Sequence, residues 1–233
     1  MSEPLEGMFD GNVVALTSRI DPADCESLGS NEAAIVAQAV AKRRYEFATG
    51  RRLAREALAR FGVTGFELLR DSNRAPVWPA AIAGTLSHGA TMAFAAVGRR
   101  DEVGTLGIDA EERLELGTQL WPLVLRAEER AALERLPVDD RGRTALVIFS
   151  AKESLYKAQY PRSHEFMEFS DLRVDIAETD AVAGGQGDLT CVFQRNVGPF
   201  AIGAIARGRF RALGPGGGVL TAVQILSVPP RAR

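Results

Sequence analysis

Two stretches of this sequence carry residue types suited to phosphate chemistry. Gly107-Ile108-Asp109-Ala110-Glu111 sets two carboxylates two residues apart. Phe149-Ser150-Ala151-Lys152-Glu153-Ser154-Leu155-Tyr156-Lys157 sets Glu153 and Lys157 four apart. In a strand, residues i and i+2 share a face, so Asp109 and Glu111 point one way while Ile108 and Ala110 point toward a core. Two such charges about 6–7 Å apart repel by about 2–3 kcal/mol at an effective dielectric near 20, a cost that a bound cation removes. Oxygen ligands without histidine favour Mg²⁺ or Mn²⁺ over zinc. In a helix, Glu153 and Lys157 project from one face. Laid against the acidic strand, that helix could complete the cation's shell with Glu153 and bring Lys157 over a phosphate. Each piece also has a plain reading, as a polar strand face and as a surface Glu–Lys pair worth a few tenths of a kcal/mol.

Basic residues gather upstream. Arg44 and Arg51 are seven apart, nearly two helical turns, with Arg43 within a quadrant of Arg51 on a continuous helix. Arg70 ends the strand expected next. Clustered guanidiniums can fork onto phosphate oxygens. For any single one of them, a solvated basic face paired with Glu46 and Glu56 is the better explanation. Ser87-His88-Gly89 ends a strand at a glycine turn, and a hydroxyl beside an imidazole makes a further phosphate contact. There is no Gly-x-Ser-x-Gly, no P-loop and no Gly-x-Gly-x-x-Gly after a strand, which disfavours triad hydrolases, ordinary NTPases and Rossmann dehydrogenases.

The elements that must position these groups show as patterns. Residues 1–30 read as irregular, with one short strand at 13–16. A helix is expected over 32–60, from Val36, Val40, Phe47, Ala54, Ala57 and Phe61 at helical spacing, broken at Gly50 and stopped at Gly62. Strands are expected at 66–70, 84–88 and 92–97. After a turn at 99–102, residues 105–111 return as a partner strand. Helices at 126–136 and 144–160 are closed by Pro137 and Pro161. Strands at 172–176, 189–193, 200–206 and 219–226 follow, joined by glycine-rich turns at 184–187 and 214–218, with a disordered tail from Pro229. Helix followed by strands occurs twice, before residue 111 and after 126, as in two α+β lobes meeting near Asp109.

The bulk numbers narrow the class. A chain of 233 residues holds one large domain or two small ones, and 46% hydrophobic with 25% charged residues is ordinary for a soluble protein. A net charge of −2 argues against bulk nucleic-acid binding. Two distant cysteines, Cys25 and Cys191, fit a reducing cytoplasm better than a disulfide framework, and with two histidines they make a structural zinc site improbable. Met1-Ser2-Glu3-Pro4 lacks a basic start followed by an apolar run, so no secretory leader is expected, and no apolar stretch is long enough for a membrane span.

In combination these pieces resemble the Sfp-type 4′-phosphopantetheinyl transferases, in the branch of enterobactin synthase component D. The resemblance runs over residues 42–160 and more loosely through the C-terminal strands. Its pieces are Arg43-Arg44-Tyr45-Glu46-Phe47 leading to Gly50-Arg51, Pro76-Val77-Trp78-Pro79, Gly84-Thr85-Leu86-Ser87-His88 and the two acidic motifs, five in order.

The resemblance implies an α+β fold of two similar α/β lobes in a pseudo-two-fold arrangement, residues 1–108 and 109–233, with the active site at their interface. It implies transfer of the 4′-phosphopantetheine group of coenzyme A to a serine of an apo acyl or peptidyl carrier protein, releasing adenosine 3′,5′-bisphosphate, with Mg²⁺ required. Asp109 and Glu111 would ligate the metal, with Glu153 as third ligand, general base or both. Lys157 would contact the coenzyme A phosphates. Arg43, Arg51, Arg70, Ser87 and His88 would hold the nucleotide end, with Lys152 a further phosphate contact. Ala110 departs from the branched aliphatic often found between the two acids, leaving room for water or looser packing. A cytoplasmic monomer without nucleic-acid or membrane partners is expected, serving a fatty-acid, polyketide or nonribosomal-peptide carrier that nothing in the sequence selects. The competing readings are a binding module that holds coenzyme A or a carrier protein without transfer, and a Mg²⁺-dependent phosphohydrolase or nuclease.

Overall fold

The computed structural model describes residues 4–177, 185–214 and 217–226. Within them, helices and strands mix in an α+β fold built on two antiparallel sheets. Strands β1 (Val13–Arg19), β2 (Ile82–His88) and β3 (Met92–Arg99) form a three-stranded sheet in the order β1-β3-β2. Strands β4 (Thr105–Glu111), β5 (Leu172–Ile176), β6 (Gln186–Phe193), β7 (Ile205–Leu213) and β8 (Gly218–Ile225) form a five-stranded sheet in the order β4-β8-β7-β6-β5.

Each sheet has one long helix. Helix α2 (Ala41–Ala59) turns Leu53, Ala54, Ala57 and Leu58 to the first sheet, whose apolar partners include Val97, Ile82 and Ala95. Helix α6 (Val138–Ser163) buries Leu146, Ile148, Ala151 and Leu155 with Cys191, Phe193, Phe210 and Val223 of the second sheet. Short helices complete the chain: α1 (Ser30–Val36), α3 (Arg100–Val103), α4 (Trp121–Val124) and α5 (Ala127–Leu133).

The structure corrects several expectations. The helix over 32–60 is interrupted at 37–40 and runs unbroken through Gly50. The Arg55–Glu32 ion pair at 2.6 Å holds α1 back against α2, a tertiary contact with no local breaker residue to announce it. Residues 66–70 give only an isolated bridge, Arg70 to Pro76. The turn at 99–102 is the helical α3.

β4 does not return against β3: both edges of β3 are taken by β1 and β2, and β4 pairs with β8 instead. Gly104, at φ 72°, redirects the chain between the two sheets, a conformation that glycine adopts without penalty. α6 continues past Pro161 to Ser163, because a proline in the last turn forfeits only the bond to the Lys157 carbonyl. The strand expected at 200–206 begins only at Ile205. Gly184, residues 215–216 and the tail from Pro229 lie outside the described residues.

Candidate active site

A cleft of about 560 Å³ opens between α2, β2, β4 and α6. Arg43, Glu46, Phe47 and Arg51 line it from α2, Ser87 and His88 from β2, Asp109 from β4, and Glu153, Tyr156, Lys157 and Tyr160 from α6. Arg70, Arg74 and Trp78, from the stretch between α2 and β2, complete the wall.

The approach of these elements depends on small groups. At Gly107 a Cβ would lie 1.8 Å from the Ser154 carbonyl oxygen, so only glycine lets α6 lie this close on β4. β2 and β4 belong to different sheets and are joined by hydroxyls. Thr85 Oγ1 accepts from the Ile108 N–H at 3.1 Å, and Ser87 Oγ accepts from the Ala110 N–H at 3.2 Å. Glu112, just past β4, accepts from the Thr91 and Met92 N–H groups at 2.9 and 3.1 Å. It thereby fixes the hairpin turn that follows Ser87 and His88.

Asp109 is the centre of the site. Its Oδ1 accepts from Lys157 Nζ at 2.8 Å and from Ser87 Oγ at 3.4 Å, and its Oδ2 accepts from Ser150 Oγ at 2.9 Å. Lys157 also donates to the Ile108 carbonyl at 2.9 Å. Behind Asp109, Thr221 links the Ser150 and Ser154 hydroxyls at 2.9 and 2.7 Å, a buried network that fixes the carboxylate from the core side.

Glu153 has no hydrogen-bond or ion-pair partner among the described residues. Burial pushes its carboxyl above the usual carboxylate range; Lys157 opposes that shift, and the charges of Asp109 and Glu111 add to it. Glu111 is likewise raised by burial and by Asp109, although Arg113 Nε holds it at 2.6 Å.

Among the described residues, no group of three or more His, Cys, Asp or Glu is placed closely enough to hold a metal ion. The chemistry of the donor set nonetheless suits a hard cation. Asp109 already takes one in the Lys157 ammonium, Glu153 is free to take another, and all the donors are carboxylate oxygens.

The other end of the cleft is cationic. Arg51 is buried, lies 4.0 Å over the Phe47 ring, and its Nε has no hydrogen-bond partner among the described residues. Burial lowers its pKa to about 10, with Arg43, Arg55 and Arg70 adding to the shift and Glu32 opposing it. A desolvated guanidinium among like charges is a site that an anion would satisfy. His88 Nε2 lies 2.7 Å from Arg43 and 3.6 Å from Glu46, and burial holds its imidazolium below the usual histidine range.

Not every expected residue reaches the cleft. Lys152 is turned away, fully buried on the other side of α6. Its ammonium donates to Glu129 at 2.7 Å and to the Val124 and Phe169 carbonyls at 2.8 and 3.0 Å, so all three of its hydrogens have acceptors. The expectation of a phosphate contact from Lys152 is corrected accordingly. Arg44 is exposed and, like Glu111, is not part of the cleft lining.

Tyr156 and Tyr160 were missed by sequence reasoning, although residues 153, 156, 157 and 160 form a single helical stripe that would have found them. Glu46 was read only as a partner for surface arginines. Arg74 carried no pattern at all.

Comparison with known proteins identifies the family. A family model described as "4'-phosphopantetheinyl transferase N-terminal domain" matches residues 31–98, and one described as "4'-phosphopantetheinyl transferase superfamily" matches residues 105–198. The chain is 38% identical over 154 residues to the 4'-phosphopantetheinyl transferase PptT of Mycobacterium tuberculosis, covering 64% of this chain and 65% of that protein. It is 38% identical over 151 residues to the transferase Svp of Streptomyces mobaraensis, covering 62% and 59%. To enterobactin synthase component D of Salmonella typhimurium it is 38% identical over 122 residues, covering 50% and 48%. The chain thus spans less than two thirds of the length of each of these relatives. With two models of one superfamily matching the segments on either side of residues 99–104, the chain belongs to the 4′-phosphopantetheinyl transferase superfamily.

Proposed function

We propose that this protein transfers the 4′-phosphopantetheine group of coenzyme A to a serine of an apo acyl or peptidyl carrier protein, releasing adenosine 3′,5′-bisphosphate. The observation that carries the reading is the pairing, in one cleft, of an acidic centre at Asp109 and Glu153 with a desolvated cationic end at Arg51. The names of the related transferases support the same reaction.

In this reading the chain is two similar lobes in a pseudo-two-fold arrangement, each a sheet with a long helix, and the site lies where they meet. A division near Gly104 rather than after residue 108 is the one this reading favours, as among the described residues β4 pairs with β8 of the five-stranded sheet. Arg43, Arg51, Arg70, Ser87 and His88 hold the nucleotide end, with Arg51 on its 3′-phosphate. Asp109 and Glu153, which line the cleft, would hold Mg²⁺, with Glu111 drawn in from two residues along β4, since as placed the three do not form a ligand group. That ion would offset the charge of the coenzyme A diphosphate while it is attacked. Two carboxylates, Glu111 and Glu153, raised by burial and by the charge of Asp109 are groups that a cation would relieve.

The serine hydroxyl attacks the phosphorus next to the pantetheine arm. A new O–P bond forms, the bond to the nucleotide phosphate breaks, and the serine proton passes to Glu153. Burial raises the Glu153 carboxyl, which makes it a stronger base than an exposed glutamate. Lys157 neutralises charge on the transferred phosphate, and the departing phosphate needs no strong acid. A cytoplasmic monomer is part of this reading; Cys25 and Cys191 are unpaired, and no helix among the described residues is long and apolar enough to cross a membrane.

One experiment tests the reading: incubate the protein with Mg²⁺, coenzyme A and an apo carrier protein, and weigh the carrier by mass spectrometry. A phosphopantetheine mass increase is expected. Tight coenzyme A binding without transfer would replace the reading with a binding module. Nucleotide or phosphate release without a carrier would replace it with a hydrolase.

A further inference from the structure

Residues 4–11 lie outside both family matches, yet they cross the back of the strand that carries Asp109. Leu5 and Met8 are 3% and 4% exposed. They share one core cluster with Phe94 of β3, Ile108 and Ala110 of β4, and Leu220 and Ala222 of β8, so the cluster draws on both sheets. By strand alternation, Ile108 and Ala110 face away from Asp109 and Glu111. Two side chains of the segment therefore help fill the core directly behind the acidic pair, where Ala110 contributes only a methyl group.

Polar ties hold the segment along its length. Arg211 donates to the Pro4 carbonyl at 3.1 Å. Arg209 donates to the Gly7 carbonyl at 3.1 Å and to the Asp10 carboxylate at 2.8 Å. Gln224 of β8 accepts from the Asp10 N–H at 2.9 Å and donates to the Asp10 and Val103 carbonyls at 3.2 and 2.9 Å. One side chain thus joins the segment, β8 and the connection into β4.

We propose that residues 4–11 act as a positioning strap: Leu5 and Met8 clamp β4 from behind and set Asp109 against the anion-binding residues of α2 and β2. The proposal rests on the transferase reading. The nucleotide end is held from the side of the three-stranded sheet, and the reacting end from β4 and α6. A shift of one against the other leaves coenzyme A bound and misplaces the reacting phosphorus. An ångström of misplacement caused far from the chemistry costs about 100-fold in rate.

The test uses the full chain carrying Leu5→Ser and Met8→Ser, assayed well below its melting temperature. Expected are a kcat lower by about 100-fold, with the Kd for adenosine 3′,5′-bisphosphate unchanged. A merely structural strap would lower Tm and leave kcat per folded molecule at the wild-type value, which overturns the proposal. So does loss of nucleotide binding in parallel with kcat. If the double variant does not fold, Met8→Ala is read in the same way.

Hydrogen exchange decides the matter without the reaction, and so separates failure of the strap from failure of the transferase reading. Amides of β4 should exchange faster in the variant while those of α2 keep their protection. Unchanged β4 exchange overturns the strap even in an active enzyme. An inactive wild type with loosened β4 in the variant leaves the strap standing and removes the transferase.

Discussion

Lys152→Met should destabilise the protein severely without touching the cleft. Lys152 and Glu129 have side-chain exposures of 0% and 2% and meet at 2.7 Å. Glu129 also accepts from the Arg126 and Val174 N–H groups, each at 2.8 Å. Removing the ammonium leaves a buried carboxylate with two amide donors and no counter-charge, and breaking such a pair costs about 3–5 kcal/mol. The two amides partly stabilise the orphaned charge and place the loss near the lower figure. For a chain of this size about 3 kcal/mol corresponds to a fall in Tm of roughly 6–12 °C. Restoring neutrality with Lys152→Met/Glu129→Gln should recover part of it, since the buried charge is gone and the carboxamide oxygen still accepts from one of the two amides.

Thermal unfolding of the wild type and both variants gives the stabilities, and KM for coenzyme A gives the functional readout. The reasoning predicts a large fall in Tm, partial recovery in the double variant and an unchanged KM in the folded single variant. A single variant with a wild-type Tm and a raised KM would refute it and return Lys152 to the phosphate site. A double variant no more stable than the single one would show that the unpaired charge was not the cause.

Other substitutions probe the site itself. Gly107→Ala drives a methyl into the Ser154 carbonyl, which cannot rotate away; about 3 kcal/mol of lost stability is expected, with a lower kcat because Glu153 moves with Ser154. Arg51→Ala removes a charged contact worth about 1.5–3 kcal/mol, so KM for coenzyme A should rise roughly 10- to 100-fold while KM for 3′-dephospho-coenzyme A barely changes. Equal effects on both substrates would take Arg51 off the 3′-phosphate.

Glu153→Gln should abolish transfer and raise the Tm of the metal-free protein. Burial raises the Glu153 carboxyl, with Asp109 and Glu111 adding to the shift, so across that window the folded state binds more protons than the unfolded state. Wild-type stability therefore declines as pH climbs above the ordinary glutamate value of about 4.3, and the advantage of the glutamine variant should grow toward neutral pH. A variant less stable than the wild type at neutral pH would remove that reasoning.

What could be read in the sequence was local. Asp109 and Glu111 at spacing two, and Glu153 and Lys157 at spacing four, declare their faces through backbone periodicity alone, and β4 has the bounds its pattern predicts. What could not be read depended on partners distant in the chain. The pairing of β4 with β8 was hidden because nothing near residue 105 records that both edges of β3 are occupied. Lys152 looked like a cleft residue beside Glu153, but Glu129, 23 residues away, decides its orientation. Gly50 looked like a break, but α2 is held by packing on the first sheet, and the missing side chain only leaves the cleft wall bare. Leu5 and Met8 stand in a stretch without periodicity, so their burial behind Asp109 had no local signal.

The central claim is that Asp109 serves the reaction rather than the fold or the nucleotide site. Its most direct test is the Asp109→Ala variant beside the wild type, with Mg²⁺, coenzyme A and an apo carrier protein. The intact mass of the carrier is followed while Kd for adenosine 3′,5′-bisphosphate is measured on both proteins. The account predicts a phosphopantetheinylated carrier with the wild type, none with the variant, and the same nucleotide affinity for the two. A variant that modifies the carrier at the wild-type rate would contradict it.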